Sequence, residues 1–227
     1  MSKTLVTFLL DRTGSMNTIR DDTIGAFNAY LETLKENPED VFFSLLTFDS
    51  MSLDKLHVNQ PVKDIPDLTR DNYIPRASTP LIDAVCKTIK AVEKSINGEN
   101  IKVVICIQTD GEENSSTEYT WDQLNAMIKE KTAAGWQFNF MGSGIDAYKQ
   151  GHRMGIAVGQ TMSYDSSDIA STKAAFRANA ENTIAYARGS ASSTVYSADQ
   201  KLQSGDKFAP KAPHSVTKIK IIDDITL

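Results

Sequence analysis

TLVTFLLDRTGSM, residues 4–16, is a largely apolar run of seven residues that meets a carboxylate at Asp11 and then a hydroxyl-bearing turn at Gly14. An unbroken run of this kind suits a strand buried on both faces, as in a parallel sheet covered by helices. Asp11, Thr13 and Ser15 are two residues apart, so a turn tightened at Gly14 brings their oxygens toward one point above the strand end. The same arrangement recurs where IKVVICIQ, residues 101–108, runs into Thr109-Asp110-Gly111. A third hydroxyl-rich segment, Ser78-Thr79-Pro80-Leu81, opens a helical pattern, with proline where a first helical turn tolerates it.

Working outward, Ile24, Phe27, Leu31 and Leu34 recur at helical spacing, and Asn37-Pro38 ends that pattern. VFFSLLTF, 41–48, reads as a second strand and 53–58 as a weaker one. The two are joined too tightly for a helical crossover, so they predict an antiparallel hairpin at the sheet edge. Residues 59–76 hold three prolines and read as loop. Leu81, Val85, Ile89, Val92 and Ile96 then form one helix face, closed by Asn97-Gly98. A helix is expected over 121–134, a strand over 136–141, a short helix over 146–153 and a longer one over 168–187. Strands alternating with helices predict an α/β fold: a doubly wound, mostly parallel, Rossmann-like sheet with one antiparallel edge strand and helices on both faces. In such a sheet the first and fourth strand ends meet at the switch point, so Asp110 is expected to face Asp11. Residues 1–187 read as the domain. Residues 188–227, rich in Ser, Ala, Gly and Lys, read as a tail that could add a strand at Val216–Thr226.

Composition bounds the function. The net charge is −5 over 227 residues and the pI is near 5.3, which gives no general attraction to nucleic acid or anionic membrane. No apolar run approaches a bilayer-spanning length, and no cleavage-site pattern follows the N-terminus. Cys86 and Cys106 sit in apolar surroundings and read as buried free thiols, pointing to a reducing, cytoplasmic setting. His57, His152 and His214 lack ligand spacing. Trp121, Trp136, Phe138 and Phe140 read as core and Gly142-Ser143-Gly144 as a turn. Asp49 and Asp83 read as surface or loop carboxylates, and Glu112 and Glu113 as solvated acids.

Asp, Ser and Thr offer hard oxygens only, which suits Mg²⁺ or Mn²⁺. Asp11-Arg12-Thr13-Gly14-Ser15-Met16, with Ser-Thr-Pro-Leu at 78–81 and Thr-Asp-Gly at 109–111, resembles the metal-ion-dependent adhesion site of von Willebrand factor A domains. The likeness covers about residues 3–187 in order and spacing. It implies that Ser15 and Thr13 bind the ion through their hydroxyls, Thr79 directly or through water, and Asp11 and Asp110 mainly through coordinated waters. Where this chain has Thr13 the family more often has serine, and the hydroxyl is kept. The resemblance further implies a non-catalytic module whose Mg²⁺ or Mn²⁺ takes an Asp or Glu carboxylate from a protein partner, self-association being one form of this. Two other readings remain. Residues 11–15 also resemble the Asp-Lys-Thr-Gly-Thr loop of aspartyl-phosphate ATPases, which implies a phosphatase-like enzyme. A structural module binding through its tail or another surface needs no metal at all. Singly, Asp11 reads more readily as a turn cap, and Thr79 equally as a helix cap.

Overall fold

A computed structural model describes residues 3–36 and 40–210. Six strands, β1 (Thr4–Asp11), β2 (Val41–Phe48), β3 (Leu53–Pro61), β4 (Lys102–Thr109), β5 (Gln137–Ser143) and β6 (Thr161–Tyr164), form one sheet in the order β3-β2-β1-β4-β5-β6. Every neighbouring pair is parallel except β2 with β3, the expected antiparallel hairpin. The chain leaves β1 toward β2 on one side and later enters β4 on the other. The crevice between the ends of β1 and β4 is therefore the switch point.

Helices α1 (Arg20–Lys35) and α5 (Ile169–Ala187) cover one face; α2 (Leu81–Ile96), α3 (Trp121–Ala133) and α4 (Ala147–Met154) cover the other. β1 is the central strand and serves both layers. Val6, Phe8 and Leu10 point toward α1 and α5, and Leu5 and Leu9 toward α2, as a two-residue side-chain period requires. Phe8 meets Phe27, Tyr30 and Phe176 with ring centroids 5.3, 5.1 and 5.9 Å away. The helix ends follow their local chemistry. Thr120 and Gln123 form a capping box that starts α3, and Asn97, at φ 46°, ends α2 in the left-handed region. Both cysteines are free and buried, and burial pushes the Cys86 thiol up to about 12 and the Cys106 thiol to about 11.

Two departures from the sequence reading share one cause, which is that polar contacts hold these segments. β6 was not expected; its four residues, TMSY, are all buried yet carry no apolar period. Part of the stretch read as tail also packs on the domain. Thr194, Tyr196 and Ser204 are buried, and a short helix α6 (Ala198–Gln203) starts at a Ser197–Gln200 capping box. Thr194 Oγ1 donates to Asn139 Oδ1, and Tyr196 OH donates to Asn179 Oδ1 at 3.1 Å. The Asp206 carboxylate accepts from Tyr148 OH and the Ser163 backbone N–H. The strand expected at Val216–Thr226 and the helix stop at Asn37-Pro38 lie outside the described residues.

Candidate metal centre

Asp11 is the last residue of β1 and has no solvent exposure. Its Oδ1 accepts the Thr13 N–H at 2.6 Å and its Oδ2 accepts the Thr109 hydroxyl at 2.5 Å, so the ends of β1 and β4 are tied through this carboxylate. The turn-capping role is thus real, but it accounts for only one of the two oxygens. Tyr73 OH donates to the Asp11 carbonyl at 2.5 Å. On the solvent side Ser15 Oγ lies 3.2 Å from Thr13 Oγ1 and donates to Asp110 Oδ1 at 2.7 Å. A continuous oxygen chain therefore links Asp11, Thr13, Ser15 and Asp110.

Thr79 closes the group from the third segment. The residue is 3% exposed, and its hydroxyl makes no hydrogen bond to the described residues, which leaves it open toward the site. It does not cap α2, whose first flanking residue is Pro80 without a side-chain cap. The hydroxyl faces Gly111 so closely that a Cβ there would stand 3.2 Å from Thr79 Oγ1. All five residues singled out in the sequence thus converge at the switch point.

The electrostatics fit a cation. Burial raises the Asp11 pKa to about 6, although hydrogen bonds from Thr109 and Thr13 pull it down. Burial also raises Asp110, against the Ser15 hydrogen bond. Two desolvated carboxylates and an open hydroxyl are the groups a divalent ion would satisfy. Among the described residues no cluster of three or more His, Cys, Asp or Glu side chains could hold a metal, so an ion held here would depend on the hydroxyls. An all-oxygen set of this size suits Mg²⁺ or Mn²⁺.

The sequence reading passed over the residues that hold the loops. Arg12 turns away from the site and is nearly buried. Its guanidinium pairs with Asp49 Oδ2 and Asp54 Oδ2, each at 2.8 Å, and donates to Ser52 Oγ at 3.0 Å. Asp49 is no surface carboxylate: its side chain is fully buried, takes Arg76 as a second cation at 2.9 Å and accepts the backbone N–H groups of Met51 and Ser52. Asp83 is also buried and accepts the N–H groups of Thr117, Glu118 and Tyr119. Glu113 is not simply solvated, since it accepts from Ile82 N, Ser115 N, Ser116 N and Ser116 Oγ. Asp49 had a readable signal, because it is a third carboxylate placed directly after an apolar strand.

Ala77, just before Ser78-Thr79, is held at φ 60° while its carbonyl accepts the Gly14 N–H at 3.0 Å. A Cβ in the left-handed region costs about 1 kcal/mol. Ala77→Gly is therefore expected to stabilise the protein by about that amount in urea unfolding, and a lower midpoint would show that the methyl group contributes packing instead.

This sheet order, with its antiparallel edge and loops gathered at the switch point, is the von Willebrand factor A fold. Similar solved structures include a von Willebrand factor type A protein from Catenulispora acidiphila (TM-score 0.55, 14% identity, 81% of this chain and 43% of that one). Proximal thread matrix protein 1 from the mussel byssus is another (0.57, 11%, 82% and 46%), and it has also been solved with a zinc-occupied MIDAS motif. A third is the manganese-loaded TRAP protein of Plasmodium vivax (0.53, 15%, 73% and 70%). The chain spans less than half the length of the first two. No family model matches the sequence, and no curated protein matches it either. A byssal matrix protein among the neighbours gives no support to the cytoplasmic setting. Among the described residues no helix is long and apolar enough to cross a membrane.

Proposed function

We propose that this chain is a metal-dependent protein-interaction module and not an enzyme. Thr13, Ser15 and Thr79 present hydroxyls, and Asp11 and Asp110 present charge, to one Mg²⁺ or Mn²⁺. When bound, the ion supplies an electrophilic coordination position that a partner's Asp or Glu carboxylate can occupy. The observation that carries this reading is the convergence of three segments at one point: the linked Asp11, Thr13, Ser15 and Asp110 groups, and the Thr79 hydroxyl turned toward the loop that holds Asp110.

The chain's own groups do the holding. The Thr13 N–H and the Thr109 hydroxyl fix the Asp11 carboxylate in one rotamer. Ser15 bridges from the β1 loop to Asp110 on the β4 loop. The phosphatase-like alternative needs a free nucleophilic carboxylate oxygen and a lysine to balance phosphoryl charge. Both Asp11 oxygens are engaged, and among the described residues no lysine hydrogen-bonds or ion-pairs with any of the five site residues. Much of the stretch read as a free tail packs on the domain, which weighs against a tail-borne docking arm.

Calorimetric titration of EDTA-stripped protein with Mg²⁺ and Mn²⁺ tests the reading. One saturable site is expected. At a free ion concentration of about 100 Kd, mass action adds about 2.7 kcal/mol, or roughly 5–10 °C in Tm. No heat and no shift with either ion would overturn it.

A further inference from the structure

Thr79 and Asp110 come from elements far apart in sequence, so something must fix one against the other. The structure assigns that task to Asn114: we propose that it is the positioning residue that seats the Thr79 hydroxyl beside Asp110. Asn114 Oδ1 accepts the Thr79 N–H at 2.9 Å, and the Asn114 N–H donates to the Thr79 carbonyl at 3.1 Å. Both polar groups of the Thr79 backbone are thereby used by one residue. A single hydrogen bond would leave Thr79 free to pivot, whereas a reciprocal pair to one residue fixes both its position and its orientation. The residue before a proline is confined to extended conformations, which removes much of the remaining backbone freedom.

The loop that carries Asn114 is itself fastened to α2. Glu113 accepts the Ile82 N–H at 2.8 Å, Ser116 Oγ accepts the Asp83 N–H at 3.0 Å, and the Asp83 carboxylate accepts three further N–H groups from 117–119. Gln150 of α4 holds the other flank, donating to the Gly111 carbonyl at 3.2 Å and accepting the Glu113 N–H at 3.2 Å. Asp110 and Thr79 are thus held to each other through the 111–119 loop, while Asp11, Thr13 and Ser15 reach the same point from the end of β1. Asn114 is the residue through which the position of Thr79 follows that of Asp110.

This inference rests on the proposed metal site and is tested by a double-mutant cycle on Mn²⁺ affinity with Asn114→Ala, Thr79→Val and the double variant. Asn114→Ala removes only the side-chain acceptor, so Mn²⁺ affinity is expected to fall about fivefold, the effect of one net hydrogen bond. Thr79→Val should lower it further, and Asn114→Ala should then add nothing, because the hydroxyl it positions is gone. Asn114→Asp, which keeps the acceptor, should restore most of the loss. Tm values in EDTA report any general loosening of the fold. Additive effects in the cycle, or wild-type affinity in Asn114→Ala, would overturn the role of Asn114 while leaving the site intact. Failure of the wild-type protein to bind Mn²⁺ would instead remove the site itself.

Discussion

Replacing Asp11 with asparagine is expected to raise the Tm of metal-stripped protein by about 5 °C at neutral pH and to abolish its response to Mg²⁺. Burial raises the Asp11 pKa from 3.8 to about 6 despite its hydrogen bonds. A carboxylate whose folded-state pKa is raised costs nothing below its unfolded value. It destabilises increasingly as pH rises through the folded value, here by about 2–3 kcal/mol in full. Asparagine has the same shape and no charge. Its Oδ1 can still accept the Thr13 N–H, and its amide can donate to Thr109 Oγ1 once that hydroxyl turns to the Gly111 carbonyl 3.2 Å away. The gain should therefore be absent near pH 4, grow between pH 4 and 6, and level off above. In Mg²⁺ at about 100 Kd the difference should close, since only the wild-type protein gains the ion's roughly 2.7 kcal/mol. Urea unfolding of both proteins across this pH range, with EDTA and with Mg²⁺, checks each part. Equal stability at pH 7 in EDTA would mean that Asp11 is not under electrostatic strain.

Asp49→Ala should produce the largest loss of stability, about 4 kcal/mol or near 10 °C in Tm. The Asp49 carboxylate is fully buried between Arg12 and Arg76 and also takes two backbone N–H groups. Removing it leaves the nearly buried Arg12 guanidinium with only the partly exposed Asp54 and Ser52 for partners. Burial alone would raise the Asp49 pKa, but hydrogen bonds from Arg76, Met51 and Ser52 and the charge of Arg12 outweigh it, and the net shift is downward. A lowered carboxylate contributes stability that is present above its unfolded pKa and lost as pH falls through its folded one. The penalty of Asp49→Ala should accordingly shrink below about pH 4. Because Arg12 lies between Asp11 and Thr13, Mg²⁺ affinity should fall as well. A midpoint within about 2 °C of wild type at pH 7 would show that Arg12 finds water or another partner instead.

The fold was legible where burial is symmetrical. β1 and β4 lie between helical layers, so their sequences are nearly continuous apolar runs, and the acid at the end of each marks the edge where the candidate site lies. The convergence of the five candidate residues was legible because three short segments each place a hydroxyl at a strand or helix end, two of them beside a carboxylate. Hydrogen bonds across long separations were not legible. Asn114 meets Thr79 across 35 residues and Arg12 meets Asp49 across 37, and neither contact leaves a local period or motif. Residues 188–206 misled for a related reason. A segment held by Thr194, Tyr196 and Asp206 through polar groups looks like a linker to any reading based on apolar spacing.

Apolar packing holds a helix by shape, and a buried hydrogen bond adds a constraint of direction. α5 is keyed into its groove. Inside the domain, Asn179 Oδ1 on this helix receives Asn139 Nδ2 from β5 at 2.6 Å and the Tyr196 hydroxyl at 3.1 Å, both buried. Travel by one helical turn, about 5.4 Å, would pull that carbonyl from both of these donors at once. Such a helix has notches rather than a continuum of positions.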